Sequence, residues 1–416
     1  MTLPTSGRPA PEVLDDLEQM KGRDVRWRDG RAFTLAYYAG EDVADIARTA
    51  YGAFSSENGL NADAFPSLRR IQSDVVDTVS QWLHAPPGSA GFMTTGGTES
   101  ILMAVLAARE RGRAERGVAS PEMVLPTSAH AAFEKAAHYF GVRSRRVPVD
   151  GRWKADVDAM AAALTDDTVL VVGSAPQYPQ GVIDPIADIA ALAAQRDINC
   201  HVDACMGGVT LPYLRRLGHD VPPFDFDVPG VTSMSVDLHK FGYAAKGASV
   251  IIHRDKKLRS YQTFVTENWL GGLYGSSGVL GTKSGGSMAA AWAVMQYLGD
   301  DGYLRLAAAA RRATIELAHA IDAIDALVLR AEPEATLVAF SARGDDLDVF
   351  ALADALWRRG WYLDRQGPPP TLHCTVNAVH DGIIDDFVAD LRAALADVVA
   401  DASTSASTGG VYGALE

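Results

Sequence analysis

Two lysines, Lys240 and Lys246, stand in the segment SMSVDLHKFGYAAKGASVIIH, between two apolar runs that read as buried strands. Lysine avoids such surroundings unless its amine is used, as a nucleophile that forms a Schiff base with a carbonyl or as a fixed cation. A lysine taken alone in such a place is a solvated loop residue, so the weight rests on its company. In TTGGTES, from Thr94 to Ser100, Gly96 and Gly97 permit close backbone approach and Thr98 adds a hydroxyl, just before a helical pattern. The free N–H groups of a first helical turn suit a phosphate. In HVDACMGG, Asp203 ends an otherwise apolar run, where open α/β sheets place ligand-binding groups, and a buried carboxylate needs a cationic partner. His130, in SAHAAFEKAAHYFG, begins another helical pattern and offers a flat imidazole that can stack on a ring.

Each piece has an ordinary counterpart: a glycine turn with a threonine cap, a strand-end aspartate capping a loop, a histidine with a local hydrogen bond. Together, an amine, a phosphate loop, a stacking imidazole and a carboxylate suited to a protonated pyridine nitrogen fit one aromatic, phosphorylated carbonyl cofactor. A rival arrangement places His130, Glu134 and His138 at i, i+4 and i+8 on one helical face, with Cys200, His201, Asp203 and Cys205 nearby, as a metallohydrolase centre. That spacing matches neither an HExxH helix nor a CxxC pair. A cofactor-free binding protein would have no use for both Lys240 and a phosphate loop, and no Walker or GxGxxG string is present.

The elements that must hold these residues alternate from about Val75 to Ile252, the pattern of an α/β unit with a mostly parallel sheet. Strands are expected at MVLP, TVLVVGS, INCHVDAC, SMSVD and ASVIIHR. Helices are expected at ESILMAVLAARERGR, AHAAFEKAAHYFG (ending at Gly141) and PIADIAALAAQRD. After Gly299 a long helix and a strand–helix–strand pattern (ATLVAFSA, DVFALADALWRRG, TLHCTVNA) indicate a second, smaller domain. The expected division is an N-terminal segment over 1–50, a large domain over 51–298, a small domain over 299–400 and a flexible tail over 401–416.

Composition narrows the partners. With 416 residues, 48% of them hydrophobic, the chain can bury a full core. The net charge of −14 opposes nucleic acid and anionic membranes, because both repel an acidic surface. Three cysteines, Cys200, Cys205 and Cys374, are too few for a disulfide framework and fit a reducing cytoplasm. No run approaches the roughly eighteen apolar residues of a membrane span.

These residues, in this order, resemble the pyridoxal 5'-phosphate (PLP) dependent carboxy-lyase superfamily, the group II decarboxylases, and within it the sphingosine-1-phosphate lyase branch. The likeness runs through ENGLNADAFPSLRRIQ, TTGGTESILMA, AHAAFEKAAHYFG, HVDACMGG, DLHKFGYAAKGAS, YQTF, NWLGGLYGSSGVLGTKSGG and GWYLDRQGPPPTLH. It implies an aspartate-aminotransferase-like, fold type I enzyme in which Lys240 carries PLP as a Schiff base. Asp203 would hold the pyridine nitrogen and His130 would stack on the ring. Gly96, Gly97, Thr98 and His239 would bind the phosphate. Thr282 would reach that phosphate from a neighbouring subunit, which implies a homodimer with shared active sites. Tyr38, Asn61 and Lys246 match positions beside a small-molecule amine substrate, with Tyr38 and Lys246 as candidate acid–base groups. Three positions depart from the family pattern: Asn61 for a histidine, Lys283 for an arginine and Ala245 for a proline. The implied reaction is Cα–Cβ cleavage of a β-hydroxy amine to an aldehyde and an amine, with amino-acid decarboxylation as the alternative.

Overall fold

The structure is a computed structural model that describes residues 2–61, 63–344 and 346–400. The tail reading over 401–416 lies outside the described residues. Aliphatic runs form a seven-stranded sheet: β1 (Ala90–Thr94), β2 (Glu122–Pro126), β3 (Arg143–Val147), β4 (Thr168–Ser174), β5 (Asn199–Asp203), β6 (Ser233–Asp237) and β7 (Ser249–His253). Their order is β1-β7-β6-β5-β4-β2-β3. Every residue of β4, β5, β6 and β7 is buried, which is why those stretches read as continuous rather than alternating.

The pairs β2–β3, β2–β4, β4–β5 and β5–β6 are parallel. β7 runs antiparallel to both β6 and β1, a correction to the reading of ASVIIHR as one more parallel strand. The physical reason lies in the 238–248 connection, shorter than the dozen or so residues a parallel crossover needs. That same short return carries Lys240 and Lys246.

A two-stranded hairpin follows, β8 (Phe264–Thr266) with β9 (Tyr274–Ser276). The helix Gly286–Asp322 then crosses between two hydrophobic clusters, and its helical dihedrals break at Gly299, whose φ of 60° favours glycine. Beyond it, β10 (Leu327–Leu329), β11 (Leu337–Ala342), β12 (Asp364–Gln366) and β13 (Thr371–Thr375) form an antiparallel sheet in the order β10-β11-β13-β12. Phe33 packs with Phe340, Trp361 and Phe387 in the second cluster, while Val43 and Ala47 join the first, so the N-terminal residues stitch both together. No described helix is long and apolar enough to cross a membrane.

Candidate active site

Strand ends build the site. β6 closes on Asp237, whose Oδ2 lies 3.0 Å from Lys240 Nζ and 3.8 Å from His239 Nε2. Burial alone raises the Asp237 carboxyl, yet the facing charges of Lys240 and His239 outweigh it and its pKa is lowered. Burial likewise opposes the Lys240 ammonium, but the Asp237 carboxylate and its neighbours hold the pKa well above the usual lysine value. On the adjacent strand, Asp203 ends β5, and its Oδ1 accepts from Cys205 N at 3.1 Å and from Ser235 Oγ at 3.2 Å.

The glycine turn leaves β1 and enters the helix Gly97–Arg116. A Cβ on Gly97 would lie 2.7 Å from both Asp237 Oδ2 and Cys205 Sγ, so glycine is required by close approach. Glu99 ties this turn down: its Oε2 accepts from Thr95 N at 2.7 Å and Thr95 Oγ1 at 2.6 Å, and its Oε1 accepts from Val279 N at 2.7 Å. His130 stands two residues ahead of the helix Ala132–Phe140, not within it, and its Nδ1 accepts from Ala132 N at 3.1 Å. Arg146 Nη1 fixes the preceding loop by donating to the carbonyls of Pro126, Thr127 and Ala129 at 3.2, 3.1 and 3.0 Å. Burial lowers the His130 pKa, which favours the neutral ring.

Gly96, Gly97 and Thr98 line one side of a cavity of about 400 Å³, and His130, Asp203, His239 and Lys240 line the rest. Asp237 Oδ1 and His239 Nδ1 are buried beside it without a partner. Tyr38 and Lys246 belong instead to a second cavity of about 920 Å³, walled largely by apolar side chains. Tyr38 donates its hydroxyl to Glu41 at 2.9 Å, and burial with that bond raises its pKa. Lys246 stands at the rim, donating to His239 O at 3.3 Å, and crowding by protein together with the Lys240 charge lowers its pKa to about 8. Tyr37 lies between the cavities: its ring is 4.9 Å from Lys246 Nζ and its hydroxyl 3.8 Å from Met206 Sδ on the first cavity's wall.

Within one chain, Asn61 and Thr282 reach neither cavity. Both are exposed; Asn61 Oδ1 accepts from Asp63 N at 3.0 Å and Ala64 N at 3.1 Å. Their loops travel together through Gly59 N to Lys283 O at 2.8 Å and Asn58 Nδ2 to Thr282 Oγ1 at 3.4 Å. The rival metal arrangement does not form. Glu134 Oε1 is engaged by Arg146 Nε at 2.6 Å and Ser144 Oγ at 2.7 Å, and His138 is exposed. His201 uses both ring nitrogens on Ser233 Oγ at 2.9 Å and Ser235 Oγ at 3.2 Å. Among the described residues, the group of three whose ligand atoms approach one another is His84, Asp225 and Asp227, none of which belongs to the rival set.

The pyridoxal-dependent decarboxylase conserved domain matches residues 1–343. The chain belongs to the pyridoxal-dependent decarboxylase family. It is 39% identical over 392 residues to a sphingosine-1-phosphate lyase of Oryza sativa subsp. japonica, covering 92% of this chain and 72% of that one. Sphingosine-1-phosphate lyase 1 of Rattus norvegicus is 38% identical over 380 residues, covering 91% of this chain and 66% of that one. A solved sphingosine-1-phosphate lyase of Burkholderia pseudomallei superposes with a TM-score of 0.91 at 39% identity, covering 97% of this chain and 94% of that chain. The architecture is therefore fold type I, the cofactor PLP and the enzyme a PLP-dependent carbon–carbon lyase.

The family chain's own residues fit that cofactor. Its cavity has the size of a small-molecule site, offers two unpartnered polar atoms on Asp237 and His239, and is kept open at Gly97 by the missing Cβ. Sequence reasoning passed over Asp237, although its position three before Lys240 at the end of an apolar run was the same signal that marked Asp203. It also passed over Tyr178, on the loop after β4, whose ring lines the first cavity and a third one of about 590 Å³. The strand-end rule for open sheets pointed there too.

Proposed function

We propose that this chain cleaves the Cα–Cβ bond of a phosphorylated β-hydroxy amine of the sphingoid base 1-phosphate type, giving an aldehyde and an amine. The observation that carries this reading is a single cavity lined by Lys240, Asp203, His130 and the Gly96–Thr98 turn, in a chain 39% identical to a sphingosine-1-phosphate lyase. When bound, PLP supplies an electron sink for the pair left on Cα. Lys240 would hold it through Nζ, Asp203 would pair with its pyridine nitrogen, and His130 would stack on its ring. The backbone N–H groups at Gly96 and Gly97, the Thr98 hydroxyl and His239 take its phosphate. Asp237 orients Lys240 and His239 together.

Thr282 completes the phosphate site from a second copy, and Asn61 travels with it, which accounts for their surface position in one chain. A homodimer with shared sites follows from that assignment. Lys246 acts as a cation for the substrate's anionic end, and Tyr38 serves as the acid–base group on the substrate side. The second cavity, apolar along most of its wall with Lys246, Arg28 and Arg48 at its edge, suits an amphiphile with an anionic end. We also infer a division at 51–298 and 299–400, and a cytoplasmic site of action, which the three unpaired cysteines support.

A second reading, amino-acid decarboxylation, is favoured by the decarboxylase domain that matches residues 1–343. Incubating the purified holoenzyme with a phosphorylated β-hydroxy amine, and separately with amino acids, separates the two. Aldehyde release is expected; carbon dioxide from an amino acid with no aldehyde from the amine would replace the first reading by the second.

A further inference from the structure

The third cavity, of about 590 Å³, lies between the loops that follow β2 and β4 of the large sheet and the turn that joins β12 to β13 of the small one. Its volume is that of a small-molecule site. Three buried polar atoms of residues on its wall have no hydrogen-bond partner among the described residues: Ser128 Oγ, Gln366 Oε1 and Gln366 Nε2. Ser128 is only 6% exposed, and Gln366 closes β12, opposite Thr371. The polar groups around them are engaged. Gln180 Oε1 accepts from Gln177 Nε2 at 2.9 Å, and Thr371 Oγ1 donates to Pro369 O at 2.9 Å. Arg365 pairs with Asp354, and Tyr178 donates its hydroxyl to Oδ2 of Asp364, at the start of β12, at 2.5 Å. Buried polar atoms are normally bonded, so three unbonded ones on a single cavity call for a molecule inside it.

Those atoms restrict its chemistry. Whichever way the Gln366 amide is turned, it presents one acceptor and one N–H donor side by side. A group that meets both at once must carry a donor next to an acceptor, as a carboxamide does. An ionised carboxylate has acceptors only and sets its charge against the Gln366 carbonyl oxygen, while an ammonium has donors only. The Ser128 hydroxyl, able to donate or accept, suits either end of a carboxamide. Charge is scarce on this wall, because Arg365 is held by Asp354 and burial holds His130 toward its neutral form. Flat apolar surface comes from Trp153, Pro179, Pro368 and Pro369. Trp153 keeps a φ of 65°, uncommon for a bulky side chain, with the Arg330 guanidinium 4.8 Å from its ring. We infer that the third cavity is a binding site for a flat, neutral carboxamide, held by Gln366 and Ser128 and distinct from the Lys240 site. His130 and Tyr178 line this cavity and the first one, so its occupant lies against two side chains that also face the cofactor cavity. Nothing in the site depends on which amine the enzyme cleaves.

Benzamide and benzoate share one shape and differ in charge and in the N–H donor, and neither carries an amine that reacts with the cofactor's aldehyde. In calorimetric titrations of the holoenzyme, benzamide should bind at least about tenfold more tightly than benzoate, the worth of one buried hydrogen bond and of the group its loss leaves unsatisfied. Gln366→Leu should lose that preference, and Ser128→Ala should weaken benzamide binding by about threefold or more. Leucine fills a similar volume without polar atoms, so Gln366→Leu should unfold at or above the native denaturant midpoint, as removal of an unbonded buried amide predicts. Should Gln366→Leu fail to fold, Gln366→Glu, which exchanges the donor for an acceptor, should lose the benzamide preference in its place.

Equal binding of the two probes, or a benzamide affinity that survives both the Gln366 and the Ser128 substitutions, would put the probe elsewhere and overturn the inference. No heat from either probe with the native holoenzyme would leave the cavity to water and overturn it as well. Each of these outcomes leaves aldehyde release by the native enzyme, and with it the lyase reading, untouched.

Discussion

The two neighbouring cavities were made by different means. The smaller one sits at the ends of β1, β5 and β6, and its polar lining comes from short motifs set at the ends of apolar stretches, Thr95–Glu99, Asp203 and Asp237–Lys240. The larger one is walled by the N-terminal residues and the helix Glu41–Ala53, where Val43, Ala44 and Ala47 differ in no visible way from any helix face that packs on a core. The first has its backbone pinned at strand ends, and Gly97 there admits no side chain. The second is shaped by packing, which tolerates exchange of side chains of similar volume. On the proposed reading, the cofactor belongs to the first cavity and the fit of the substrate to the second.

The sharpest way to break this contrast is at Lys240. Lys240→Ala should lower turnover by at least about 10³-fold, since no neighbour can replace a lost covalent anchor. The purified variant should also lose the yellow colour of the bound cofactor. Turnover at the native rate would detach the smaller cavity from catalysis altogether.

Next in size is a matched pair of glycines. Gly97→Ala forces a Cβ to within 2.7 Å of Asp237 Oδ2 and Cys205 Sγ, an overpacking that costs about 1–3 kcal/mol and displaces the turn assigned to the phosphate. PLP affinity should fall about tenfold or more, measured by titrating the apoenzyme. Gly52→Ala, on the wall of the larger cavity, meets nothing within 4 Å inside a helix and should stabilise by about 0.4–1 kcal/mol in denaturant unfolding. Equal effects at the two positions would erase the distinction between a built site and a packed one.

The same contrast explains what could be read from the residues alone. Asp203, Lys240 and the Gly96–Thr98 turn were legible because each is a local anomaly: a charge or a glycine pair where an apolar strand should simply end. The helices Gly97–Arg116 and Ile186–Arg196 were legible through their apolar spacing. The antiparallel course of β7 was hidden, because a fully buried strand has the same composition in either direction. The Tyr178–Asp364 pair was hidden for a different reason. Its members lie 186 residues apart, and their meeting depends on how the small sheet seats against the loop after β4. The assignment of Tyr38 and Lys246 to a cavity separate from Lys240 likewise depends on Tyr37, whose role as a partition is a matter of placement.

A smaller effect, in the larger cavity, completes the series. Lys246 has a pKa lowered to about 8, so it is an ammonium below that pH and a neutral amine above it. If it serves as the cation for an anionic substrate end, KM for a phosphorylated β-hydroxy amine should be lowest below pH 8 and rise as the pH passes through 8, with kcat changing little. Lys246→Met should show a KM about tenfold higher below pH 8 and no step near it, because a thioether carries no charge to lose. An unphosphorylated amine should show no step with either protein. The opposite sign, activity that climbs through pH 8 in the native enzyme and not in Lys246→Met, would make the neutral amine a proton acceptor. Lys246 would then belong with the chemistry of the smaller cavity, from whose wall, at the His239 carbonyl, its Nζ is only 3.3 Å away.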